Sequence, residues 1–244
     1  MLRFDRSFLK LSNFVVKYLY LANWRAYVAE FLGTFVFVFA AAGSVLSNNL
    51  FTDTGVLGVG IATSMALAVM IFATAAISGG HLNPAVTVAM WLTQRIGTTV
   101  AAFYVLMQIL AGFAAAYLLQ YLFGNHALGF YLGGPVLAVD TTVGAAVILE
   151  AVLTGALVFT VFATMVDRRG PVSFGPIAVG LVVLAGSIFA GGITGAALNP
   201  ARALGPLLVS GRVDSLLVWV IGPLTGSLFG VFYDFVFLRQ GKRK

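Results

Sequence analysis

The 244-residue chain has no cysteine, two histidines and only eight acidic residues, and charged residues of either sign make up 9% of it. Without cysteine, disulfides and thiol chemistry are excluded, and redox compartment cannot be inferred. With two histidines, one of them in a loop, a metal site is not expected. No nucleophile–base arrangement, phosphate loop or cofactor motif is present, so the chain does not read as an enzyme and needs no cofactor. A soluble domain carries about a quarter charged residues, so the shortage here excludes a water-facing surface. What fills the space is apolar: 60% of residues, with a mean hydropathy of +1.01. Most apolar stretches run about 20 residues, the length that crosses ~30 Å of hydrocarbon at ~1.5 Å per residue.

A net charge of +6 would suit nucleic acid, but the basic residues are distributed in a way that argues against it. Arg3, Arg6, Lys10, Lys17, Arg25, Arg95, Arg168, Arg169, Arg239, Lys242, Arg243 and Lys244 all fall on one side of the spans drawn below. That is the positive-inside bias, and it places both termini in the cytoplasm of a multi-pass protein of the cell membrane. Residues 1–24 mix Arg and Lys with Phe, Leu and Val, and the charges interrupt any signal-peptide core. The segment reads either as an amphipathic helix at the inner interface or as a basic tail. Residues 239–244 form a second short basic tail.

Six long spans are predicted, at 25–46, 56–77, 98–123, 141–166, 172–190 and 215–238. Two shorter stretches remain, Pro84–Leu92 and Pro200–Val209, each opening with Pro after Asn. At ~1.5 Å per residue each covers ~15 Å, half the hydrocarbon thickness. Asn is a favoured N-cap, and Pro at the first helical position gives up an N–H that had no partner anyway. Both stretches therefore read as half-helices.

The chain also repeats itself. "AEFLGTFVFVF" from Ala29 matches "LEAVLTGALVF" from Leu149, with Glu30 over Glu150 and Thr34 over Thr154, and Asn83-Pro84-Ala85 returns as Asn199-Pro200-Ala201. Each repeat (25–123 and 141–238) holds three full spans, an odd number, so the second enters the membrane from the opposite face. The half-helices then dip from opposite sides and meet tip to tip.

In these features residues 25–238 resemble the aquaporin and aquaglyceroporin family of major intrinsic proteins. The likeness is carried by "SGGHLNPAVT" and "TGAALNPARALGP", by the E-x-x-x-T of both halves, and by Gly222-Pro223 in the sixth span. It implies an all-α membrane fold of six transmembrane helices plus two re-entrant half-helices, assembled as a homotetramer with one pore per protomer. The implied function is a passive channel that passes water and small neutral solutes and excludes protons and ions, as is already established for aquaporin-type pores. The segments ending in Gly79, Gly80 and His81, and in Gly195 and Ala197, would line the pore with carbonyl acceptors; irregular backbone is tolerated at membrane depth only there or inside protein. Asn83 and Asn199 would each present an amide NH₂ at the midplane. The half-helix N-termini, each worth ~0.5 of a charge, would repel cations there. By the resemblance Glu30 and Glu150 brace the re-entrant loops, and His81 lines the inner vestibule. Arg202, a charge at membrane depth and so expected to face water, is the arginine of the outer constriction; an interfacial pair with Asp214 is the alternative. Arg212 is expected at the outer mouth without a function.

Counted from the motifs, the family's constriction falls on Thr63, Ser187, Ala196 and Arg202. Thr, Ser and Ala replace the bulkier residues of water-selective and glycerol-selective members, which implies a wide, hydrophilic ring. The expected solutes are water, glycerol, urea and metalloid acids such as boric, silicic or arsenous acid. A shift of one turn in the second span would instead bring Met65 or Phe72 into the ring. The other readings are a strictly water-selective channel and a non-conducting junction protein of the same fold. An active transporter would need an intramembrane charge pair that the spans do not offer.

Overall fold

The computed structural model describes residues 23–238. Nearly all of the basic segment 1–24, and the tail 239–244, lie outside the described residues. The regular structure of the described residues is all helical, with the α-helices α1 (Trp24–Leu50), α2 (Gly55–Ser78), α3 (Pro84–Leu92), α4 (Thr98–Phe123), α5 (Val143–Val161), α6 (Gly175–Ala190), α7 (Pro200–Val209), α8 (Val218–Gly226) and α9 (Leu228–Tyr233). Among the described residues six helical segments are long and apolar enough to cross a membrane. The short α3 and α7 are the two half-helices, with bounds that match the sequence expectation.

The sixth span departs from a single helix. It breaks between α8 and α9 at Ser227, whose Oγ donates to Leu224 O at 2.6 Å and competes with the helical ladder there. Two spans, the fourth and the sixth, finish in single π-helical turns, Phe162–Val166 and Asp234–Leu238.

Packing follows the internal repeat. α1 lies against α2 and α4; in the second half, α5 lies against α6 and against α8–α9. The halves join where α2 meets α6, and each half-helix reaches into the other repeat, α7 against α4 and α3 against α9. Glycine sets the closest approach: a Cβ on Gly205 of α7 would run into the carbonyl of Gly112 in α4, backbone against backbone. Small residues at such crossings let helices approach closely in lipid.

The outer faces are apolar. Leu32, Val36, Val69, Ile148, Val152, Leu181 and Ile188 are all exposed. A patch of that extent cannot face water, so bilayer or neighbouring subunits must cover it.

Candidate functional site

Asn83 and Asn199 sit in nearly identical extended conformations, at φ −156° with ψ 123° and 114°. Each caps the half-helix that follows: Asn83 Oδ1 accepts from Ala85 N at 2.9 Å, and Asn199 Oδ1 accepts from Ala201 N at 2.9 Å and Arg202 N at 3.4 Å. Pro84 and Pro200 take the first helical position. Each amide also reaches across the repeat boundary. Asn83 Nδ2 donates to Leu198 O and Asn199 Nδ2 to Leu82 O, both at 2.8 Å. The half-helix tips do meet, but the amides are not wholly free. One N–H of each amide ties the two loops together, which leaves the second N–H for anything that passes.

The loops before the asparagines are irregular. Gly79, Gly80 and Gly195 adopt φ of 91°, 62° and 77°, a region open to glycine. Leu82, Ala196 and Leu198 also hold positive φ, at 49°, 44° and 52°, a strained state that persists only where its surroundings over-determine it. The over-determination comes from two buried carboxylates. Glu30 Oε1 accepts from Ser78 Oγ (2.6 Å) and His81 N (2.9 Å), and Oε2 from Leu82 N (2.7 Å) and Gln108 Nε2 (2.7 Å). Glu150 repeats the scheme with Thr194 Oγ1 (2.7 Å), Ala197 N (3.0 Å) and Leu198 N (2.9 Å). A second tie fixes the start of each loop: Tyr104 OH donates to Ser78 O, and Trp219 Nε1 to Thr194 O, both at 2.9 Å. The carbonyls of Gly79, Gly80, His81, Gly195, Ala196 and Ala197 accept no hydrogen bond from the described residues.

Two cavities flank the asparagine pair. The one that the charge distribution leads us to expect on the outer side, about 210 Å³, has Thr63, Ser187, Ala196 and Arg202 together in its wall. Met65 is turned outward and 61% exposed, away from that wall. Arg202 is 4% exposed, and its buried Nη1 has no hydrogen-bond partner among the described residues. Asp214 does not serve it: that carboxylate lies 3.9 Å from Arg212 Nε, and Arg212 stacks 4.0 Å from the centre of the Tyr131 ring. The other, expected on the inner side, is about 390 Å³ and is walled by Phe72, Gly79, His81, Met90 and Met165 among others.

Sequence reasoning missed several of these residues. Gln108, Tyr104 and Thr87 are buried polar groups in apolar helices, and a glutamine in the middle of a span was a readable signal. Asp234 was also passed over. It is buried, and Arg95 Nη2 binds it at 2.6 Å while the guanidinium lies 5.7 Å from the Phe162 ring centre. Beside it Asp167 takes Arg169 Nε at 2.9 Å, Arg169 Nη2 at 2.7 Å and Tyr233 OH at 3.0 Å. The Arg169 side chain and backbone N–H hold the Asp167 carboxyl well below the usual carboxylate range.

The comparisons with known proteins agree with this geometry. The family model described as "Major intrinsic protein" matches residues 17–234. Aquaporin TIP4-4 of Zea mays is 42% identical over 227 residues, covering 89% of this chain and 88% of that protein. Aquaporin TIP2-1 of Arabidopsis thaliana is 38% identical over 229 residues, 89% of each. Among solved structures, the aquaglyceroporin from Plasmodium falciparum superposes with a TM-score of 0.77 at 25% identity, over 90% of this chain and 99% of that one.

Proposed function

The chain belongs to the major intrinsic protein family of membrane channels, and from that premise we propose that it conducts water and small uncharged solutes passively. Glycerol, urea and metalloid acids of boric, silicic or arsenous type are the solutes proposed, with protons and ions excluded. One observation carries this reading: Arg202, whose guanidinium makes no ion pair among the described residues, shares a cavity wall with the small side chains of Thr63, Ser187 and Ala196. A guanidinium there donates to a solute oxygen and repels cations, while no ring side chain in that set narrows the passage.

The remaining steps follow the solute inward. Six unclaimed loop carbonyls accept its hydrogens in sequence. At the midplane the spare N–H of Asn83 and of Asn199 donates to its oxygen. A water held by two donors has both lone pairs occupied and cannot relay a proton. The facing N-termini of α3 and α7 add a positive field against cations, ~0.5 of a charge each.

The channel unit is taken as residues 25–238, with its two repeats at 25–123 and 141–238. Both termini are assigned to the cytoplasm of a cell-membrane protein, because Arg25, Arg95, Arg168 and Arg169 share one end of the spans. Homotetramer assembly accords with the apolar outer faces and is checked by mass measurement in detergent.

Stopped-flow swelling of proteoliposomes tests the solute range. Water, glycerol, urea and boric acid should all pass faster than through empty liposomes. Passage of water alone would establish the strictly selective reading, and no flux at all the junction reading. Thr63→Phe combined with Ser187→His should cut glycerol and urea flux; unchanged flux would locate the constriction elsewhere.

A further inference from the structure

The two loops are held alike except at one place. Glu150 fixes its loop with three donors, whereas Glu30 has a fourth, Gln108, which begins a chain of side chains. Gln108 Nε2 also donates to Thr87 Oγ1 at 3.0 Å, and Thr87 Oγ1 lies 3.1 Å from His81 Nδ1. Repeat two holds Ala197, Ala203 and Pro223 at the equivalent positions, by the offsets that relate Asn83 to Asn199 and Tyr104 to Trp219. Bracing a loop therefore does not require this chain of residues.

Its hydrogen-bond directions can be followed from the carboxylate outward. Glu30 accepts all four of its bonds, which turns the Gln108 amide nitrogen toward it. The other hydrogen of that nitrogen goes to Thr87 Oγ1, leaving the hydroxyl with one proton to place. Its choices are His81 Nδ1 at 3.1 Å or Gln108 Oε1 at 3.4 Å, and the shorter contact is the better acceptor. Nδ1 then accepts, so the ring proton must sit on Nε2. Among the described residues Nε2 has no hydrogen-bond partner; it lies beside Gly79, where an added Cβ would be 3.3 Å from it, and His81 lines the inner cavity. Tyr104 closes edge-on over the ring at 5.1 Å between centres and limits its rotation.

We propose that Gln108 and Thr87 are positioning residues that lock His81 in the Nε2–H tautomer, so that the inner mouth presents a fixed donor to each solute. The inner end thus matches the outer, where Arg202 donates, and a solute meets a donor on entering from either side. The functional half of this inference rests on the conduction proposed above; the tautomer does not.

The test uses the full chain labelled with ¹⁵N-histidine in liposomes, and nitrogen NMR reads the tautomer directly. With only two histidines, His126→Gln assigns the His81 signals. Wild type should show the Nε2–H form in roughly tenfold excess, the bias expected of one buried hydrogen bond. Thr87→Val leaves every Glu30 donor in place and should bring the two forms within about threefold of each other. Thr87→Ser should restore the excess. The glycerol-to-water permeability ratio should change at least about twofold in Thr87→Val and return in Thr87→Ser. A wild type in which the Nδ1–H form equals or exceeds the Nε2–H form overturns the lock even if Thr87→Val proves unstable, and so does an unchanged ratio of forms in a folded Thr87→Val. A shifted tautomer with an unchanged permeability ratio overturns the role at the mouth. Absence of all flux with the Nε2–H form present would sink the conduction reading and leave the lock standing.

Discussion

Replacing either buried glutamate by glutamine tests whether the loops are held as described. Both residues are fully buried, and in hydrocarbon surroundings water cannot rescue a stranded donor. In Glu150→Gln the amide oxygen can keep Thr194 Oγ1 and Ala197 N, but the new NH₂ then faces Leu198 N. One buried N–H is orphaned at ~1–3 kcal/mol, and two bonds to a charged acceptor become neutral ones at ~0.5–1 kcal/mol each. The loss is about 2–5 kcal/mol. Glu30→Gln is worse, because the amide faces both Leu82 N and the Gln108 amide. Turning Gln108 over would relieve one clash only by ending its donation to Thr87, so ~1–2 kcal/mol more is expected.

Trp219 makes the assay possible. It is fully buried and hydrogen-bonded to the Thr194 carbonyl at the head of the second loop, so with Trp24 and Trp91 replaced by Phe its fluorescence follows that loop. At ~2–4 °C per kcal/mol for a domain of this size, Glu150→Gln should melt roughly 4–20 °C below wild type in detergent, and Glu30→Gln lower still. Glutamine variants that melt with wild type, or an inverted order of the two, would refute the bracing account.

Three further outcomes follow from other parts of the molecule. Gly205→Ala, whose Cβ would press on the Gly112 backbone, should lose about 3 kcal/mol or more and most of its monodisperse yield, whereas Gly144→Ala, with nothing within 4 Å, should gain ~0.5–1 kcal/mol. Mercuric chloride should leave water permeability unchanged because there is no thiol to modify; inhibition reversed by added thiol would contradict this. Asp167, whose folded carboxyl is held low by Arg169, stabilises fully above its unfolded value of ~3.9 and loses that contribution as pH falls below it. The melting difference between wild type and Asp167→Asn should therefore stay constant from pH 8 to 5 and shrink below about pH 4; a difference that shrank near pH 6 would mean another group controls that end.

The half-helices were legible because their signals are local: Asn caps, Pro follows, and the apolar run is too short to cross. The long spans were legible from composition alone. The split of the sixth span was not, since it depends on a serine hydroxyl choosing the carbonyl three residues back. The crossed bonds from Asn83 and Asn199 were hidden as well. Their acceptors are the carbonyls of Leu82 and Leu198, and a backbone acceptor leaves no mark in the residue type.

The same limit explains why the repeat looked weaker in sequence than it is in space. Ser78 and Thr194 do one job, and Tyr104 and Trp219 do another, yet neither pair is identical. What the fold conserves between its halves is a donor at a given point, and serine or threonine, phenol or indole, can supply it. Where the halves differ in hydrogen-bonding capacity and not merely in residue name, the difference needs a cause outside the shared architecture. Gln108, Thr87 and His81 on one side, and Arg202 on the other, are such places: four polar side chains whose equivalents are proline or alanine, or, for Arg202, Val86. A strictly symmetric fold would not need them, and each side's set ends in a group at a cavity wall. Selectivity is therefore to be sought in the departures from the repeat, while stability resides in what the repeats share.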